Sequence, residues 1–128
     1  MTTLAQHIGL TSDQAQAIVS RAFDLVDAGE LEGAVDIFKG LLVLEPADAS
    51  MHASLGSVFH QQGKLSEARA AYDTALSLDA NTVLARVNRG ELRCKRGDLE
   101  GMEDLEIAAR IPSPVQARAQ GLLRLYGR

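Results

Sequence analysis

The chain has 128 residues, of which 46% are hydrophobic, 4% aromatic and 23% charged, and its formal net charge is −4. This is enough chain for one domain with a sizeable core, and the composition excludes a largely disordered protein. The single cysteine, Cys94, excludes an internal disulfide framework, and the acidic balance argues against a general nucleic-acid binder.

No apolar run approaches the roughly 18 residues of a membrane span; the run 41–44 stops at Glu45 and Pro46. Residues 1–10 have no base ahead of an apolar stretch, so no secretory signal is expected. These features predict a cytoplasmic protein without membrane insertion. Charge is unevenly spread. Residues 1–82 hold four bases (Arg21, Lys39, Lys64, Arg69) against eleven acids, and residues 83–128 hold nine bases against six acids. The basic stretch 86–96 reads first as a solvated helix face.

Along the chain, residues 1–12 form a short N-terminal segment, either a turn through Leu4 and Ile8 or a frayed end. Thr11 with Gln14 three residues on has the form of a capping box, which starts a helix over about 13–28. A second helix runs over about 31–44 and is closed by Pro46. Asp48 suits the N-cap of a helix over about 49–62, and another follows over about 65–78. Asn81 is expected to cap a helix over about 83–96, and a further helix covers about 99–111. Val115, Ala119, Leu122 and Tyr126 then make a helical stripe over about 114–126, with Gln116, Arg118, Gln120 and Arg124 on other faces.

These helices repeat. Gly29, Gly63 and Gly97 are spaced by 34 residues, and each is followed two residues later by leucine: Leu31, Leu65, Leu99. Ala34, Ala68 and Met102 stand five residues after the glycines, and Phe38, Tyr72 and Glu106 nine after. Ala75 and Ala109 follow twelve after the second and third, and Pro46 and Pro114 seventeen after the first and third. A glycine between two periodic segments can take the left-handed conformation that ends a helix. A small residue early in the next helix lets the pair approach closely. This pattern resembles the tetratricopeptide repeat, a helix–turn–helix unit. The resemblance implies an all-α fold, a right-handed superhelical solenoid of three hairpins plus a C-terminal capping helix. The repeats are placed at about 15–48, 49–82 and 83–116, within a single domain over 13–128.

The second repeat matches best, through Leu55, Gly56, Phe59, Gly63, Ala68, Tyr72 and Ala75. The third has Arg86, Arg89 and Arg93 where the second has His52, Leu55 and Phe59. Burying three unpaired guanidiniums is very costly. The first helix of that repeat is therefore expected to rotate and turn Ala85, Asn88 and Leu92 inward.

Nothing in the chain has the form of a catalytic site, and no cofactor or metal is expected. His52 and His60 are eight residues apart on one helix, about 12 Å along the axis, and His7 is isolated. Arg93, Lys95 and Arg96 beside Cys94 would lower its pKa, although a small buried hydrophobe is the preferred reading. The acidic run Glu100, Glu103, Asp104, Glu106 reads as a solvated face.

Stacked hairpins form an extended concave face. The resemblance places the first helix of each repeat on it, so the candidate groove is lined by Val19, Phe23, Val26, Ala53, Ser57, His60, Leu84, Val87, Glu91 and Cys94. A mostly apolar trough of this kind suits an extended peptide with aliphatic anchors. An ordinary core reading of Val19, Phe23 and Val26, covered by the N-terminal segment or by a second copy, stands equally beside it. Some tetratricopeptide proteins clamp the acidic C-terminus of chaperones with cationic inner-face residues. The corresponding positions here are Val19, Phe23, Ser54, Leu84 and Asn88, none of them cationic, which argues against that mode.

A narrower resemblance rests on Ala34, Phe38, the run 41–45, Asp48, Ser50, Leu55-Gly56, Ala68, Tyr72, Glu91-Leu92 and Gly97-Asp98-Leu99. With these residues the chain looks like the class II type III secretion chaperones, which hold translocator subunits before export. That resemblance implies a protein-binding, non-catalytic role for a translocator-like cargo, and dimerisation through the N-terminal helices. The alternative is a generic assembly scaffold or adaptor, self-associating and without a client. A thiol enzyme centred on Cys94 is the rival from another class.

Overall fold

The structure, a computed structural model, describes residues 3–127. Its described residues form eight helices and no strand: α1 (Leu4–His7), α2 (Ser12–Asp27), α3 (Leu31–Leu44), α4 (Ala49–Gln61), α5 (Leu65–Leu78), α6 (Val83–Lys95), α7 (Glu100–Ala109) and α8 (Gln116–Tyr126). From α2 onward each helix packs against the next in the chain, giving the hairpins α2–α3, α4–α5 and α6–α7, with α8 against α7. Alternate helices also touch, α4 with α6 and α6 with α8. The architecture is the expected all-α solenoid of three hairpins and a capping helix.

Local chemistry sets the ends of the helices. Thr11 accepts from the Gln14 N–H while the Gln14 side chain accepts from the Thr11 N–H, the expected capping box. Asp48 accepts from the Met51 N–H at 3.0 Å. Gly29, Gly63 and Gly97 have φ of 78°, 77° and 79°, a region that side-chain-bearing residues avoid. The chain then folds back on itself, the Glu30, Lys64 and Asp98 N–H groups donating to Leu25, Phe59 and Arg93 carbonyls at 2.8–2.9 Å. Asn81 does not cap α6 as expected. Its N–H is drawn to the Asp79 carboxylate, and Thr82 takes the N-cap position without a side-chain bond.

The N-terminal segment forms a short helix, but not through Leu4 and Ile8, which are exposed; Ala5 is the residue it buries. Thr3 and Gln6 make a second capping box, and Gly9 ends α1 with φ 76°.

The main core runs through the first two hairpins into α6 and centres on Phe38, Phe59 and Tyr72 among alanines. A smaller cluster of Val87, Leu105, Ala108 and Ala119 joins α6, α7 and α8. Helices meet closely where glycine stands. A Cβ on Gly56 would lie 2.6 Å from the Tyr72 ring, and one on Gly90 would lie 2.9 Å from Leu105.

The third repeat departs from the 34-residue pattern in its second helix. Gly101, Asp104, Leu105 and Ala108 are buried in α7, each standing 33 residues after its counterpart Ala68, Ala71, Tyr72 or Ala75. Met102 and Glu106, which the 34-residue spacing places inward, are half-buried and exposed. The cause is the contact with α6: a Cβ on Gly101 would lie 2.6 Å from the Gly90 carbonyl, so only glycine fits there and methionine does not. The slip leaves Leu99 75% exposed.

The slip also decides how the arginines are accommodated. Ala85, Asn88 and Leu92 are buried as expected, but α6 is not rotated, because Gly90 faces α7 as Gly56 faces α5. Arg86, Arg89 and Arg93 stay in place and converge on Asp104, at 3.2, 2.6 and 3.3 Å. Arg89 grips it with both Nε and Nη2 and also reaches Asp73 at 2.9 Å. Asp104 is therefore a buried counter-ion and not part of a solvated acidic face, since its side chain is only 3% exposed. Its hydrogen bonds hold the Arg89 guanidinium above its ordinary pKa, against the opposing effect of burial.

Candidate functional site

The expected groove residues stand on α2, α4 and α6, but not all of them reach solvent. Ala53 and Val87 are 1% and 0% exposed. They cannot serve as contacts, because their small side chains fill the packing between helices; Val87 belongs to the cluster under α8. Val26 packs partly buried on the core, as do Val19 and Leu84. Phe23 is different: its ring meets Phe38 edge-on at 5.6 Å while 46% of the residue stays exposed.

Two clefts take in some of these residues. The first, about 500 Å³, lies between the N-terminal segment, α2 and the α3–α4 junction. Val19, Phe23, Leu41, Leu44 and Met51 give it an apolar lining, and its charged groups are Glu45 and Asp48. Ala5, Gln6 and Leu10 line it as well, so the N-terminal segment forms a wall and leaves Phe23 uncovered.

The second cleft, about 280 Å³, is lined by Ser57, His60, Gln61, Leu84, Asn88 and Arg118. Arg118 comes from the capping helix, off the apolar stripe of Val115, Ala119, Leu122 and Tyr126. It donates to Asn88 Oδ1 at 2.7 Å and to Glu91 Oε2 at 2.8 Å. Lys95 also reaches Glu91, at 3.1 Å. Burial pushes the Glu91 carboxyl up, but Arg118 and Lys95 outweigh it and hold the group below the usual glutamate value. Burial lowers the His60 pKa, with Glu91 opposing. His60 Nδ1 lies 3.4 Å from the Tyr72 hydroxyl, whose pKa burial raises.

Cys94 is half-buried on α6. Its thiol is pushed up by burial and by Asp98 and Asp104, the reverse of what neighbouring bases would do. Two of the neighbouring bases are committed elsewhere, Arg93 to Asp104 and Lys95 to Glu91. A third hollow, about 580 Å³, lies against Leu4, Val43, Leu44 and Pro46. No helix among the described residues is long and apolar enough to cross a membrane.

Comparison with known proteins agrees with this geometry. A tetratricopeptide-repeat family model matches residues 20–82 and ends where the third repeat, with its phase slip, begins. Cellulose synthase operon protein C of Xanthomonas axonopodis pv. citri is 28% identical in an alignment over 113 residues that covers 85% of this chain. The match spans only 8% of that relative's length. Among solved structures, the type III secretion translocator chaperone SycD of Yersinia enterocolitica superimposes with a TM-score of 0.87 at 23% identity, covering 98% of both chains. PcrH of Pseudomonas aeruginosa, in complex with the chaperone binding region of PopD, superimposes with a TM-score of 0.80 at 25% identity. That superposition covers 93% of this chain and 95% of PcrH.

Proposed function

We propose that this chain, whose residues 20–82 match a tetratricopeptide-repeat model and whose fold is that of the translocator chaperone SycD, binds an extended, partly apolar protein segment on its concave face without catalysing a reaction. In its specific form, the reading is that of a cytoplasmic chaperone for a translocator-like cargo. The observation that carries it is the first cleft, where an aromatic side chain stays half in solvent within a built apolar hollow. Exposed aromatic area of that kind is worth most when a partner covers it. The proposed contacts are Val19, Phe23 and Val26 at one end and Ser57, His60, Leu84, Glu91 and Cys94 towards the other. PcrH, of similar fold, is seen with a segment of PopD, which supports the reading.

A second reading, a self-associating scaffold or adaptor without a client, is favoured by exposed Leu4, Ile8 and Val43 on the N-terminal face. Affinity capture from the host lysate, with the bait sized by light scattering, separates the two. A stoichiometric secreted or membrane-inserting partner, lost on Phe23→Asp while helical circular dichroism persists, is the expected result. Recovery of the bait alone, at dimer mass or above, would favour the scaffold. Collapse of the fold in Phe23→Asp would show that the ring is core.

A further inference from the structure

The two clefts differ in charge as well as polarity. The first is lined by Glu45 and Asp48 and by no base. The second is lined by Arg118 and by no acid. Glu91 adjoins it, but Arg118 and Lys95 share that one carboxylate, so the trio keeps a net positive charge. Arg118 has five donors, and its bonds to Asn88 and Glu91 fix the guanidinium while its side chain stays 42% exposed. Both clefts lie along α4, with Met51 at the first and His60 at the second. Nine residues of helix separate these two, about 14 Å, which about four residues of extended chain span.

We propose that the concave face binds its segment in one direction, and that Arg118 is a specificity-determining contact which receives an acidic side chain about four residues from the apolar anchors. The inference rests on the proposed peptide-binding function and adds the polarity of the ligand. Aliphatic groups enter the first cleft, where an acidic residue would meet Glu45 and Asp48. The acidic residue meets the pre-oriented guanidinium at the other end. Glu91 positions Arg118 and also competes for it.

The test uses an array of synthetic twelve-residue peptides, each with a leucine pair and a single Asp, Asn or Lys moved through the remaining positions, probed with the full chain. Asp is expected to exceed Asn by about fivefold at a position about four residues to one side of the leucines, the size of a partly exposed ion pair. Arg118→Gln should abolish that preference while leucine-dependent binding persists, and Arg118→Lys should keep part of it. Glu91→Gln should raise the preference, because it removes the competitor; a purely structural role for the Glu91–Arg118 pair would instead weaken all binding. Leucine-dependent binding with Asp and Asn equal everywhere would overturn the inference and leave the groove standing. No difference between leucine peptides and leucine-to-serine controls would overturn the groove and the inference together.

Discussion

Replacing Asp104 with alanine should destabilise the protein far more than loss of one acidic residue from a supposedly solvated run. The carboxylate is almost wholly buried and accepts from three arginines whose side chains are only 14–17% exposed. Removing one partner of a buried ionic cluster costs about 3–5 kcal/mol, because the remaining charges are left without compensation. The lower end applies here, since Arg89 keeps Asp73 at 2.9 Å and Arg86 keeps the Ala80 carbonyl at 3.3 Å. With an unfolding entropy of about 2.1 cal/mol/K per residue, about 3 kcal/mol lowers the Tm by about 11 °C. Urea unfolding followed by circular dichroism measures the loss directly. A companion variant carries Arg86→His, Arg89→Leu, Arg93→Phe and Asp104→Ala, which writes the second repeat's residues into the third. Apolar replacement of buried ionic clusters is often neutral or stabilising, so this variant should recover to within about 1 kcal/mol of the parent. A loss below about 1 kcal/mol for Asp104→Ala alone would refute the reasoning, since it would mean that water already screens the three guanidiniums.

Further outcomes follow from single positions. Gly63→Val should cost about 2 kcal/mol, all of it backbone strain, because no atom lies within 4 Å of the added Cβ; Gly63→Asn should cost less than half of that, and equal urea midpoints for the two would argue against a left-handed turn. Gly56→Ala should cost about 1–3 kcal/mol by overpacking, since its Cβ meets the Tyr72 ring at 2.6 Å; a neutral result would show that the ring has room to move. His60 has a lowered pKa in the fold, so the unfolded chain binds its proton first as pH falls through about 6.5. Stability should therefore decline from pH 7.5 to 5.5, and His60→Gln should flatten that slope in thermal melts; an unchanged slope would place the titration elsewhere. The Cys94 thiol, raised by burial and two aspartates, should react with iodoacetamide at pH 7.4 more slowly than glutathione does. Faster reaction would revive a thiol-based activity.

Much of the architecture was legible because it is written in short-range chemistry. Left-handed glycines at 34-residue spacing mark the turns, and Thr11 and Asp48 mark helix starts. Each acts through atoms within a few positions, so neither needs the rest of the fold. Asn81 shows the limit of such local reading: α6 starts one residue later than an Asn81 cap requires, with Thr82 at the N-cap, and Asn81 is held by its own N–H on the Asp79 carboxylate.

What sequence spacing left undecided was the choice between adjacent residues on one helix. Gly101 or Met102, Leu105 or Glu106: the periodicity permits either register, and the approach of α6 selects one because only Gly101 fits against Gly90. That single-residue slip carries Asp104 beneath three arginines 11–18 positions away. Arg118 likewise lines the second cleft only because α8 folds back over α6 and meets Asn88, 30 positions earlier. Ala53 and Val87 share a helical face with partly exposed residues, yet neighbouring helices close over them. Sequence alone determined the repeat, its helices and its turns, since those depend on backbone conformation and local capping. Tertiary packing alone decided which charges are buried and which side chains line the clefts, since both depend on how closely two helices can approach.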